Sequence, residues 1–188
     1  MRARPAWLTD VAPERSSTEE AHGEMTIQTL SSRQTTSALR TVDTELDALR
    51  TLRQALSERE LGGAVDNAIE IIAAASGRVI VTGMGKSGHI ARKIAATMRS
   101  TGTSALYLHP GEASHGDLGV ITEHDVVLAI TWSGETSELS DLIAHCVRFG
   151  VPIIDISKQP DSTLMRAATL RLTFPDLPEA CSIGLFRD

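Results

Sequence analysis

An α/β fold, a doubly wound parallel five-stranded sheet sandwiched by helices, follows from three observations on the chain. Short apolar runs of the kind that fill strands buried on both faces alternate with stretches whose apolar residues recur every three or four positions. Hydrophobic residues make up 41% of the chain but aromatic ones only 3%, so the core is aliphatic and Ala-rich, which suits helices packed on a parallel sheet. Gly-containing turns follow the strands, at the carboxyl ends where open α/β sheets place their ligand crevice. With 188 residues the chain reads as one domain with an appendage, long enough to bury roughly 70% of its unfolded surface.

Residues 1–36 are polar, with Pro5, Pro13 and many Ser, Thr and Glu. They cannot bury enough apolar surface to offset ordering and are expected to be disordered, with Met25 a second candidate start. The domain proper is 37–188, a helical lead-in over 37–77 and an α/β core over 78–188. Leu39, Val42, Leu46, Leu49, Leu52 and Leu56 are spaced by threes and fours and predict one long amphipathic helix. Gly62 and Gly63 are expected to interrupt it; Val65, Ala68, Ile69 and Ile72 then carry a second helix ending near Gly77. The apolar stripe is expected to pack partly on the sheet and partly on a second subunit.

Strands are predicted over 78–82, 104–108, 125–130, 152–156 and 169–174, and helices over 89–99, 135–149 and 162–168. No internal repeat is visible. The net charge of −6 argues against broad nucleic-acid binding, which wants a basic face, so an anionic substrate would need local positive groups. Two cysteines, Cys146 and Cys181, are too few for a disulfide framework and read as reduced thiols of a cytoplasmic protein. Arg2 and Arg4 have no apolar segment behind them, and no apolar run approaches the length of a membrane span, so neither secretion nor a membrane partner is expected.

Three stretches carry candidate chemistry. Thr131-Trp-Ser-Gly-Glu-Thr-Ser-Glu138 sits between a buried strand and a helix. The first amides of a helix have no intrahelical partner and the macrodipole is positive there, so an anion is favoured. Ser133, Thr136 and Ser137 add hydroxyl donors and Gly134 allows close approach. The same Ser and Thr would also serve as ordinary helix caps. Gly83-x-Gly85-x-x-Gly88 matches a dinucleotide fingerprint, yet the second strand ends in His109-Pro110 rather than the acidic residue a ribose requires. A P-loop fails too, because Ile80 stands where its first glycine belongs. What remains is Lys86 beside Ser87 at a second helix start, and two such starts facing one crevice suit a sugar phosphate.

His109-Pro-Gly-Glu112-Ala-Ser-His115-Gly-Asp117-Leu-Gly119 is a loop dense in His and carboxylates. Its His109, His115 and Glu112 could ligate a divalent metal, but the spacing fits no standard zinc signature, and proton transfer by a histidine that titrates near neutrality is the alternative use. Glu138 on a first helical turn and Glu179 in a late loop complete the candidates; a carboxylate at such a position also serves simply as a dipole complement.

Gly83-Met-Gly-Lys-Ser-Gly-His89, His109-Pro-Gly-Glu-Ala-Ser-His-Gly-Asp-Leu-Gly119, Ser133-Gly-Glu-Thr-Ser-Glu138 and Pro178-Glu-Ala-Cys-Ser-Ile-Gly-Leu185 together resemble the signature set of the arabinose-5-phosphate isomerases, a family of the sugar isomerase (SIS) domain superfamily. The resemblance runs from about residue 40 to 185. It implies an aldose–ketose isomerase that interconverts D-arabinose 5-phosphate and D-ribulose 5-phosphate for Kdo and lipopolysaccharide synthesis. It also implies a cytoplasmic homotetramer with no organic cofactor. By motif position, Lys86, His115, Glu138 and Glu179 match active-site residues of the family, and His109 matches a position associated with inhibitory zinc. Gly85, Ser87, Ser133, Gly134, Thr136 and Ser137 are the expected substrate-binding set. The family continues past Leu185 into a long helix, a further catalytic histidine and usually a pair of CBS domains, whereas this chain reads Phe186-Arg-Asp188. A C-terminally truncated domain is therefore expected, as is a second class of function, a catalytically impaired sugar-phosphate-binding protein acting as sensor or oligomer partner. Transcription regulators with SIS domains carry a helix-turn-helix, which residues 37–76 do not suggest, and the first two motifs argue against phosphoheptose isomerase.

Overall fold

In a computed structural model, the structure describes residues 23–159, 161–177 and 180. Two units are distinguished, residues 1–43 and 44–188, and the second contains the sheet. The chain enters as helix α1 (Gly23–Ser57) and continues as α2 (Arg59–Ala74). Both bounds correct the sequence reading. The stretch 23–36, expected to be disordered, is helical, because a polar composition argues only against burial, and after Gly23 neither Pro nor Gly stands in the way of a helix. Residues 1–22 lie outside the described residues. The break falls at Glu58, whose extended backbone starts α2, and Gly62 and Gly63 are absorbed into that helix. Gly62 has a reason to be there, since a Cβ on it would press on the carbonyl oxygen of Leu56.

The remainder alternates as predicted: β1 (Val79–Gly83), α3 (Gly85–Ser100), β2 (Ala105–Leu108), α4 (Pro110–Ser114), β3 (Val126–Ile130), α5 (Ser140–Phe149), β4 (Ile153–Ser157), α6 (Thr163–Ala167) and β5 (Leu170–Thr173). The stretch after β2, read as a loop, is the short helix α4 and a 3-10 turn over Asp117–Val120. His109 caps α4, its Nδ1 accepting from the Gly111 amide at 3.1 Å, and Pro110 occupies the first turn, where a missing N–H costs nothing. A second 3-10 turn, Ser137–Leu139, leads into α5.

The five strands are all parallel, in the order β2-β1-β3-β4-β5. Side chains alternate across this sheet into two aliphatic cores. Ile80, Val127, Ala129 and Ile153 pack against Leu139, Leu142 and Cys146 of the α5 region and Leu164 of α6. Val79, Val81, Val126, Leu128 and Ile154 pack on the other face against Leu61 and Ala68 of α2 and Ala91 and Ala95 of α3. Alanines at the α3 contact let the helix approach closely, which is why so few aromatics suffice. Full burial of each large aliphatic chain contributes about 1.5–3 kcal/mol relative to exposure.

Candidate active site

The strand order reverses direction between β1 and β3, and in such sheets the crevice opens at that switch, beyond the carboxyl ends of the two strands. A cavity of about 730 Å³ lies there. Its walls come from the start of α3 (Met84, Lys86, Ser87, Ile90) and from the loop after β3 (Thr131, Trp132, Ser133, Thr136). Leu177 and Ala180 close it from the segment after β5, and Glu45 and Ala48 from α1.

Two close backbone approaches set the α3 wall. A Cβ on Gly83 would stand 2.8 Å from the Ile130 carbonyl oxygen, and one on Gly88 would stand 2.7 Å from the Gly83 carbonyl oxygen, so only glycine lets this helix start against the strand ends. Tyr107 Oη donates to Gly83 O at 3.2 Å and fixes the same turn. The first turn of α3 has no acidic residue and no side-chain cap, and it adds the Lys86 cation to the positive end of the helix.

The loop after β3 is closed on itself. Thr131 Oγ1 and Thr136 Oγ1 lie 2.9 Å apart, Gly134 N–H donates to Thr131 Oγ1 at 3.3 Å, and Glu135 N–H to Ser133 Oγ at 3.3 Å. Its outer side is strapped to the next unit of the sheet. Glu135 accepts from the Thr163 amide at 2.7 Å and hydroxyl at 2.8 Å, bonds that hold its carboxyl below the usual range, and Leu164 N–H reaches Gly134 O at 3.3 Å. Gly134 has a φ of 71°, and a Cβ on it would overlap the Ser162 side chain.

The expected site residues separate into two groups. Lys86, Ser87, Ser133 and Thr136 share the cavity wall, and Gly85 is in the same turn as Lys86. Gly134 supports the loop from behind, and Ser137 turns its hydroxyl onto Glu138 at 2.9 Å instead of lining the cavity. Glu138 is exposed, its carboxyl lowered by its own amide N–H and by Ser137, so it stands as carboxylate. His115, at the end of α4, is exposed with Nδ1 2.7 Å from Gly111 O; a carbonyl only accepts, so this nitrogen carries the proton and Nε2 keeps the lone pair in the neutral ring. His109 shows the opposite tautomer, because Nδ1 accepts. Neither His115 nor Glu138 contributes to the cavity wall, and Glu179 lies outside the described residues. Among the described residues no three His, Cys, Asp or Glu side chains cluster as a metal would require.

Sequence reasoning missed Trp132, Lys158 and Asp155. Lys158 Nζ lies 5.5 Å from the Trp132 ring centre and 2.6 Å from Asp176, which ties the segment before Leu177 to the cavity rim. The charged Asp155 interrupts the apolar run Pro152-Ile-Ile-Asp-Ile156, a signal available in the sequence. No comparable signal marks Glu45 or Ala48, since their place depends on how α1 lies against the cavity.

Residues 71–187 match the SIS domain model. The chain belongs to the SIS-domain family. This SIS-domain chain is 44% identical over 149 residues to the arabinose 5-phosphate isomerase KdsD of Pseudomonas aeruginosa, covering 79% of this chain and 44% of that protein. It is 54% identical over 110 residues to KdsD of Salmonella typhi, covering 58% and 34% respectively. The chain thus spans less than half the length of these relatives. Among solved structures, that of E. coli CFT073 c3406 in complex with A5P matches with a TM-score of 0.73 and 32% identity, over 82% of this chain and 79% of that one. A Listeria monocytogenes structure described as a putative sugar-phosphate isomerase matches with a TM-score of 0.66 and 28% identity, over 77% and 78%. The five-stranded parallel sheet with helices on both faces is the SIS fold these share.

Proposed function

We propose that this SIS domain belongs to an aldose–ketose isomerase that interconverts D-arabinose 5-phosphate and D-ribulose 5-phosphate through an enediolate. The observation that carries the reading is the convergence of the start of α3 and the loop after β3, with Lys86, Ser87, Ser133 and Thr136, on one cavity at the sheet's switch point. KdsD proteins at 44–54% identity and the A5P complex of the c3406 protein support the choice of sugar phosphate. The supply of Kdo precursor for lipopolysaccharide, a cytoplasmic location and a homotetramer belong to the same reading. So does an inhibitory zinc at His109. No helix among the described residues is long and apolar enough to cross a membrane.

In this reading the phosphate is held by the amides and hydroxyls of the Ser133–Ser137 loop with Ser87. Lys86 stabilises the negative charge of phosphate or enediolate. Glu138 or Glu179 moves the proton between C2 and C1 as carboxylate, and His115, with Nε2 available, shuttles protons on the oxygens. Each positioned acid or base would contribute roughly 10²–10⁴-fold. A second reading, sugar-phosphate binding without turnover, is favoured by the position of His115 and Glu138 away from the cavity wall.

Conversion of D-arabinose 5-phosphate by the purified chain tests both. Turnover that is lost in Lys86→Ala and reduced by at least tenfold in Glu138→Gln establishes the isomerase. Binding of the sugar phosphate by folded protein with no turnover establishes the binding module instead.

A further inference from the structure

Behind the anion loop lies a polar column with no part in the chemistry above. Asp155 stands in the middle of β4 with no exposed surface, in register between Ala129 of β3 and Arg171 of β5. Its Oδ2 accepts from Ser157 Oγ at 2.8 Å, and its Oδ1 has no hydrogen-bond partner among the described residues. Buried carboxylates are ordinarily paired or given several donors, and this one has a single hydroxyl. Ser157 is two residues further on, on the same face of the strand. Its hydroxyl lies 3.8 Å from where a Cβ on Gly134 would be, and Ser162, itself buried, presses on the same point. Asp155, Ser157 and Gly134 therefore form a continuous line from the core to the back of the loop whose front carries Ser133 and Thr136.

We propose that Asp155, acting through Ser157, is a positioning residue of the anion loop that couples anion binding to proton uptake, the neutral carboxyl supporting the bound anion and the carboxylate opposing it. An anion on the front of the loop places a second negative charge near a buried one, and like charges in a low-dielectric interior favour protonation of the weaker acid. Burial already pushes the Asp155 carboxyl up to about 6, with the Ser157 bond and Arg171 acting the other way, so the proton is exchanged close to neutrality. The surrounding elements supply few competitors. β3 offers Ala129 and no titratable group opposite it, and Arg171 on β5 is exposed. On α6, Arg166 is engaged by Asp161 O and Thr163 Oγ1, and Glu135 of the loop by Thr163. Lys158 is paired with Asp176. Beyond α6, α5 carries Asp141, His145, Arg148 and Cys146, the last with its thiol pushed up to about 12 by burial. This coupling rests on the proposed reading only in that the loop binds an anion.

Inorganic sulfate is the probe, because its charge is constant between pH 5 and 8. Its affinity for the full chain is measured by calorimetry across that range for wild type and Asp155→Asn. Wild-type affinity is expected to fall three- to tenfold more than that of Asp155→Asn as pH rises, with proton uptake near pH 6.5 that the variant lacks. Carboxyl-carbon NMR of the wild type alone reads the same effect should the variant not fold: sulfate is expected to raise the Asp155 midpoint by about 0.5–1 pH unit, the same three- to tenfold. Parallel pH profiles, or an Asp155 midpoint indifferent to bound sulfate, overturn the coupling while leaving the anion loop intact. Failure of folded wild type to bind sulfate or D-arabinose 5-phosphate at any pH overturns the anion loop and the coupling with it.

Discussion

At the scale of single residues, the buried groups make the sharpest predictions. The Asp155 carboxyl is pushed up to about 6 by burial, whereas in the unfolded chain it titrates near 3.9. Between these values the folded state binds the proton more tightly, so stability falls as pH rises and the deficit is complete above about pH 6. Its size is on the order of 3 kcal/mol. Asp155→Asn should therefore gain stability relative to wild type at pH 8 and gain little at pH 4, read as urea midpoints at the two pH values. Cys146 is the converse case of a silent group: with its thiol pushed up to about 12, it should resist iodoacetamide at pH 8 in the native chain and react once the chain is unfolded, as peptide mapping would show. Gly134→Ala combines a left-handed backbone with a clash on Ser162, and is expected to cost about 1–3 kcal/mol and to weaken sugar-phosphate binding at least tenfold. Sequence alone marked Gly134 as a close-approach glycine, but for the ligand's sake; the structure shows that the surface it must clear is Ser162, twenty-eight residues on, which no local pattern could reveal.

At the scale of elements, the corner that joins β1 to β3 is held through one carboxylate, Asp125. Asp125 accepts from the Arg78 amide at 2.6 Å, the Thr122 amide at 2.8 Å and the Thr122 hydroxyl at 2.9 Å, and pairs with the Arg78 guanidinium at 3.3 Å. Burial pushes its carboxyl up, but the amides of Thr122 and Arg78, with their side chains, outweigh this and hold it below the ordinary range. The stabilisation it gives is present above its unfolded value near 3.9 and is lost as pH falls through the lower folded one. Asp125→Ala is expected to cost about 1–3 kcal/mol in urea unfolding at pH 7, since it strands several donors at once. The strands and the later helices were legible because parallel strands buried on both faces leave unbroken apolar runs, as in Val126–Ile130. The helical lead-in was not: propensity and patterning could not place the break at Glu58 rather than at Gly62 and Gly63, because the close approach of Leu56 to Gly62 is a contact between helices.

At the scale of the molecule, the two turns that line the cavity were legible because their signal is backbone geometry plus small side chains, both local. It could not say that His115 and Glu138 stand off the cavity wall, which depends on where α4 and the 3-10 turn before α5 leave the sheet. Leu46, Leu49, Leu56 and Ile69 remain exposed on α1 and α2, in keeping with the proposed homo-oligomer. Leu46→Glu with Leu49→Glu is expected to lower the sedimentation coefficient toward that of a monomer without changing the circular dichroism spectrum. The order β2-β1-β3-β4-β5 has a further consequence for how the chain is made. As the polypeptide leaves the ribosome, β2 pairs with β1, β3 then takes the other side of β1, and β4 and β5 add outward in turn. No strand has to be threaded between two already joined, so each newly synthesised segment meets an open edge waiting for it, and the slowest amide exchange should be found in β1, where growth of the sheet began, and in β3 at its centre.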